Sequence, residues 1–171
     1  ASPKYRYLER VLPELAEKVY IHKIVYDEVM VPVCAKEQID SLIKQGILEI
    51  MDESKLAPLE KKVYEGTYCL LARIMMNPNR PRKNQGEICS LAIAKTKSIP
   101  YFATDEKKLQ PIIDKALNTG MNDIICVRIE DVVQKIKSGE LSAFKRKEAK
   151  VLWRLAGKRT DIFDRNIWPV Q

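Results

Sequence analysis

The strongest constraint on the fold of this chain lies between residues 87 and 139. Glu87 to Lys97 sets Ile88, Leu91, Ala92 and Ala94 at helical spacing, and the apolar run Ile99 to Ala103 follows within one turn. Glu106 to Leu117 repeats the helical pattern and stops at Asn118-Thr119-Gly120. A second apolar run, Ile124 to Ile129, leads to the helix Asp131 to Lys137, closed by Ser138-Gly139. Strands that alternate with helices over such short connections are joined by crossovers, and crossovers make them parallel. The expected class is α/β.

The first half is less regular. Tyr7 to Val19 carries Leu8, Val11, Leu12, Leu15 and Val19 at three-and-four spacing, an amphipathic helix despite Pro13. Val19-Tyr20-Ile21 is a short apolar segment of strand type, followed by Ile24-Val25-Tyr26-Asp27-Glu28-Val29-Met30. Ala35 to Gln45 is a helix with Gly46 as its C-terminal cap, and Ile47 to Met51 a strand. Glu60 to Met76 is a long helix with Val63, Thr67, Leu70, Leu71 and Ile74 on one stripe, ending before Asn77-Pro78. The loop from Asn77 to Asn84 is polar and basic.

With 171 residues, 46% apolar and 31% charged, and without repeats or low-complexity tracts, the chain is expected to form a single domain over 1–171 with a basic helical extension at about 140–171. Its longest apolar runs, Tyr68 to Ala72 or Val29 to Ala35 with Pro32, fall far below the roughly 18 residues of a membrane span. Ala1 to Arg10 has no apolar stretch of signal-peptide type, so no membrane role is expected and the location is expected to be cytoplasmic. Cys34, Cys69, Cys89 and Cys126 are scattered in apolar contexts, without zinc-site spacing, and are expected to be buried thiols. His22, the only histidine, excludes chemistry that needs paired imidazoles.

The net charge is +7. Seven basic residues and one acid lie between Lys145 and Arg159, and Arg80, Arg82 and Lys83 form a second cluster. Clustered positive charge attracts a phosphodiester backbone through counterion release, although a solvated helix face has the same composition. Trp153, beside Val151, Leu152 and Leu155, is expected in the core or at an interface, with base stacking as the alternative.

In an open parallel sheet, function gathers at the carboxyl ends of the strands. Ile99 to Ala103 delivers Thr104-Asp105-Glu106 there, at what reads as a helix start, and Gly86-Glu87 opens the preceding helix. Carboxylates at helix starts also complement the helix dipole. The helix from Glu87 is antiparallel to the strand after it, so Glu87 and Asp105 are expected on one side of the sheet. Neighbouring carboxylates repel, a divalent cation relieves this, and oxygen-only ligands favour Mg²⁺ or Mn²⁺.

The runs Gly86-Glu87-Ile88-Cys89-Ser90-Leu91-Ala92-Ile93-Ala94 and Ile99-Pro100-Tyr101-Phe102-Ala103-Thr104-Asp105-Glu106-Lys107-Lys108-Leu109 resemble the C-terminal half of a PIN domain. The resemblance implies a three-layer α/β/α fold with a mainly parallel sheet, and a metal-dependent endoribonuclease using Mg²⁺ or Mn²⁺. It implies a catalytic, metal-binding set of Glu28, Glu87 and Asp105, with Asp27 a substitute for Glu28 and Glu106 a fourth ligand. Arg80, Arg82, Lys83 and Lys107 are then expected to bind the phosphates of single-stranded RNA. An antitoxin protein and a homodimer are further partners the family suggests. The family opens with a strand ending in an aspartate, which this chain does not show at its start; a further N-terminal strand is expected in the native protein, since loss of a central strand would expose two neighbouring edges. A non-catalytic PIN-like binding module for nucleic acid or protein is the alternative. A receiver-like phosphoacceptor domain ranks last, because Ile124 to Ile129 leads to Glu130 and not to lysine.

Overall fold

The computed structural model describes residues 6–29, 33–80 and 82–169. In chain order these form α1 (Tyr7–Leu15), β1 (Val19–His22), α2 (Lys23–Glu28), α3 (Val33–Lys44), β2 (Leu48–Met51), a 3₁₀ turn at Glu53–Lys55, α4 (Pro58–Met75) and α5 (Gln85–Thr96). The second half continues with β3 (Tyr101–Ala103), α6 (Leu109–Ala116), β4 (Ile125–Val127), α7 (Ile129–Ser138), α8 (Arg146–Leu155) and the short α9 (Thr160–Ile162). A π-helical turn follows at Phe163–Ile167. β1 pairs in parallel with β2, Val19 opposite Leu48, and β3 in parallel with β4, Tyr101 opposite Ile125. The chain is α/β with parallel pairs joined through helices. Among the described residues the two pairs are separate two-stranded sheets.

What relates the sheets is α5. Ile88, Leu91 and Ala92 are fully buried, and Gly86, Cys89, Ile93 and Ala94 nearly so, because the helix packs along α4 and also touches β1, α2 and β3. A helix that is apolar on every side belongs in the interior. Its direction fixes the polarity of what surrounds it. The chain leaves α5 at Lys97 and enters β3 after one turn, so β3 runs back and its carboxyl end returns toward the amino end of α5. β1 passes directly into α2, which packs on Gly86 at that same end.

A second core joins Tyr7 and Val11 of α1 to Val133, Trp153 and Phe163. Trp153 is 3% exposed, its Nε1 donates to the Arg159 carbonyl at 2.9 Å, and its ring lies 5.9 Å from that of Phe163. The core reading of Trp153 holds, and its ring is not free to stack a base. No helix among the described residues is long and apolar enough to cross a membrane.

Four local expectations are corrected. α1 ends at Leu15, not Val19: Ala16 is extended (φ −157°, ψ 144°) and β-branched Val19 opens β1. α6 starts at Leu109, not Glu106, because side chains take up the amides before it: Thr104 Oγ1 accepts from Glu106 N at 3.1 Å and Glu106 Oε1 from Lys108 N at 3.2 Å. On α4, Val63, Leu70 and Ile74 face outward while Tyr64 and Leu71 are buried; the helix carries apolar residues on two faces, and α5 selects one. Cys69 is exposed and Cys34 half-buried, whereas burial pushes the Cys89 and Cys126 thiols up, as expected of core cysteines.

His22 is buried and caps α2: its Nδ1 accepts from Ile24 N at 3.2 Å, so in the neutral ring Nε2 carries the proton, 3.2 Å from Glu53 Oε2. Burial lowers its pKa, opposed by Glu53 and Asp52. With the folded value below the unfolded ~6.5, the unfolded chain takes the proton first. This stability is full above about pH 6.5 and is lost as the pH falls through the folded value. The unfolding midpoint is expected to fall as the pH drops below about 6.5, above the range in which the lowered carboxyls of Glu9 and Asp164 titrate. His22→Asn keeps a capping acceptor and should flatten the drop in a thermal-unfolding series; an unchanged slope would assign the effect to other groups.

Candidate functional site

Glu28, the exposed last residue of α2, lies against the first turn of α5. A Cβ built on Gly86 would stand 3.7 Å from Glu28 Oε2 and 3.1 Å from Val25 Cγ2, so the absence of a side chain at Gly86 is what admits α2 this closely. Glu87, half-buried, follows immediately in the same turn. Asn84 precedes α5 at φ 66° and spends its side chain on the Met75 carbonyl, with Nδ2 donating at 2.9 Å. The side chain at the cap position therefore does not cap the amides of the first turn of α5. The Glu28 carboxylate thus lies at the positive end of the α5 dipole, in the turn that carries Glu87.

Asp105 follows β3 and is tied down differently. Its Oδ1 accepts from Ile129 N at the start of α7 at 3.3 Å, and its Oδ2 lies 3.6 Å from Lys158 Nζ. The same ammonium is 3.4 Å from Glu130 Oε1. Glu130 Oε2 and Arg128 Nε are buried without a hydrogen-bond partner among the described residues. The Arg128 guanidinium donates to the Lys107 carbonyl at 3.4 Å, which leaves the Lys107 side chain exposed, and Glu106 is an exposed turn residue.

The four acids expected to bind metal therefore occupy two settings. Glu28 is brought to the helix end that carries Glu87, and Asp105 is held by Lys158 with Glu106 beside it in the turn. Among the described residues no group of three or more His, Cys, Asp or Glu side chains is close enough to hold a metal ion. Sequence reasoning misses Lys158 and Glu130 as parts of this site. Glu130 is legible as an acid just beyond the second strand, whereas nothing in the local sequence pattern signals that Lys158 reaches back to Asp105.

Arg80, Arg82 and Lys83 are exposed, and among the described residues none of them forms an ion pair. Turn hydrogen bonds, Arg80 N to Asn77 O at 2.9 Å, Lys83 N to Arg80 O at 3.0 Å and Gln85 N to Arg82 O at 3.3 Å, wind this loop into α5. Pro81 lies outside the described residues. The three cations thus precede the helix end at which Glu28 and Glu87 meet.

The Gly86 contact is testable against Gly66, in the middle of α4, where an added Cβ would meet nothing within 4 Å. Gly66→Ala is expected to raise stability by about 1 kcal/mol from helix propensity alone. Gly86→Ala has to displace Val25 and should give no such gain in denaturant unfolding. Equal increments would mean that α2 yields freely and that Gly86 does not position Glu28. In comparisons with known proteins, no family model, no curated protein and no solved structure matches this chain.

Proposed function

We propose that this chain is a divalent-metal-dependent nuclease that hydrolyses phosphodiester bonds in single-stranded RNA, built on the three-layer PIN-like plan its sequence resembles. The observation that carries the reading is the placement of the Glu28 carboxylate on Gly86, beside Glu87, at the helix end into which the basic loop Arg80 to Lys83 winds.

The donor set suits the metal. Mg²⁺ keeps several of its waters and is commonly held by one or two carboxylates together with substrate phosphates, so Glu28 and Glu87 offer the oxygen ligands it takes. When bound, such an ion supplies a water of lowered pKa and stabilises charge on the scissile phosphate. The chain's own residues do the rest. Glu28 and Glu87 hold the ion; Arg80, Arg82, Lys83 and Lys107 bind flanking phosphates and set the register of the strand. Asp105 presents a further carboxylate from the end of β3, with Glu106 next to it, and Lys158 keeps Asp105 and Glu130 from repelling each other.

A second reading, a PIN-like module that binds nucleic acid without cutting it, is favoured by one observation: Asp105 already has a cationic partner in Lys158. Labelled single-stranded RNA incubated with the full native protein in Mn²⁺ or Mg²⁺, and in chelator, decides between them. Metal-dependent cutting is expected, reduced about a hundredfold or more in Glu87→Gln and in Glu28→Gln while both variants unfold at the parental temperature. Cutting at the parental rate by both variants would remove them from the chemistry, and binding without cutting in any metal would establish the second reading.

A further inference from the structure

A cavity of about 440 Å³ opens on α8 and α9, lined by Arg146, Lys147, Lys150, Val151, Arg154 and Thr160. Four of its six lining residues are cationic. Arg146, Lys150 and Arg154 follow one another at i, i+4 and i+8 on α8, an arrangement that costs helix stability through like-charge repulsion unless anions compensate it. Asp164 compensates in part. It accepts from Arg146 at 2.6 Å and pairs with Lys150, whose hydrogen bond is the main reason its carboxyl titrates below the usual range. Lys147 and Arg154 are exposed and, among the described residues, have no ion pair. The wall thus contains two cations tied to Asp164 and two without an anion. The opposite face of the helix is fixed in the core by Ala149, Leu152 and Trp153, so the cationic face is held in place.

We infer that this cavity is a phosphate-binding subsite for the backbone of single-stranded RNA. The reaction and substrate class rest on the nuclease reading; the site itself rests on the cavity and its charge. Concavity favours a phosphate with its attached nucleoside over a flat anionic surface, and the volume falls in the range of roughly 300–1,000 Å³ typical of small-ligand pockets. Lys158, which follows α8 in the chain, is taken up by Asp105 and Glu130 and is not one of the lining residues.

The test is binding of a fluorescein-labelled single-stranded oligonucleotide of uridine to the full native protein, followed by anisotropy in chelator so that nothing is cut, over a series of salt concentrations. Lys147→Gln combined with Arg154→Gln touches no ion pair and is expected to weaken binding about tenfold and to reduce the steepness of log K against log salt by about 1.4, or about 0.7 for each lost phosphate contact. Lys61→Gln combined with Lys62→Gln, an equal loss of charge on the exposed face of α4, should leave the slope within about 0.3 of the parent. Parental affinity and slope in the α8 variant, or equal losses in both variants, would overturn the proposal. So would failure of the parent to bind the RNA, or an α8 variant that loses affinity only for phosphatidylserine vesicles. Because binding is read in chelator and cutting in a separate assay with metal, the two outcomes are separable: RNA binding through Lys147 and Arg154 with no cutting in either Mn²⁺ or Mg²⁺ would remove the nuclease reading and leave the subsite standing, and metal-dependent cutting with unchanged α8-variant binding would do the reverse.

Discussion

Burial of α5 is the constraint on which the rest of the structure depends. Each fully buried leucine or isoleucine on such a helix is worth about 1.5–3 kcal/mol relative to exposure, and α5 has two of them, Ile88 and Leu91, at 0% exposed. The alanines and Gly86 act in another way, because their small size lets α2, α4 and the sheets approach from several sides. Since the helix is covered all round, its amino end cannot face open solvent on every side, and what lies against it is set by chain direction. β1 leads into α2, which is what lies against that end.

That geometry creates an electrostatic problem with two solutions. Glu28 lies against the first turn of α5, which carries Glu87 and has no side-chain cap, where the helix dipole supplies the positive field. Asp105 and Glu130 are instead bridged by an ammonium from far along the chain. The side chains in that bridge are between about a fifth and two-fifths exposed, 23% for Lys158 and 39% for Asp105, and ion pairs of that exposure are typically worth about 0–1 kcal/mol. Lys158 therefore organises the acids of the second sheet without locking them, whereas Glu28 is held through the packing of Val25 on Gly86 and owes its place to sterics.

How much of this is legible in the sequence depends on whether the signal is local. The glycine at 46 after α3, the short crossover connections and the nearly unbroken apolar character of Ile88 to Ala94 are properties of neighbouring residues, and the helices and parallel strands they imply are present. Where two faces of one helix are both apolar, periodicity has no basis for choosing between them, and α4 turns Val63, Leu70 and Ile74 outward while burying Leu71 of the same expected stripe together with Tyr64. At Thr104 to Lys108, two side chains outcompete the helix for backbone amides, a local contest that helical propensity does not record. For the acids, the residue types and strand ends are visible, whereas Glu28 enters the set only through the family resemblance and the structure lays it against the start of α5. The tie of Asp105 to Lys158 is not visible, since an ion pair between distant segments leaves no periodic trace.

The basic tail shows the same division and its consequence. Composition identifies an excess of positive charge between Lys145 and Arg159 but cannot assign it to a face. In the fold one side of α8 enters the core through Trp153, and Arg159 contributes its carbonyl to the indole while its guanidinium pairs with Asp161. Lys158 goes to the acids. Of the cations in the cluster, those on the cavity wall remain concentrated on a helix face that is rigid because the opposite face is buried, and rigidity matters here. A cation on a flexible stem loses conformational entropy on gripping a phosphate, and a fixed backbone limits that loss to the side chain alone. The charge that composition describes only as an excess is thus sorted by packing into three uses: a hydrogen-bonded edge of the core, a counter-ion for the strand-end acids, and a positively charged concave wall.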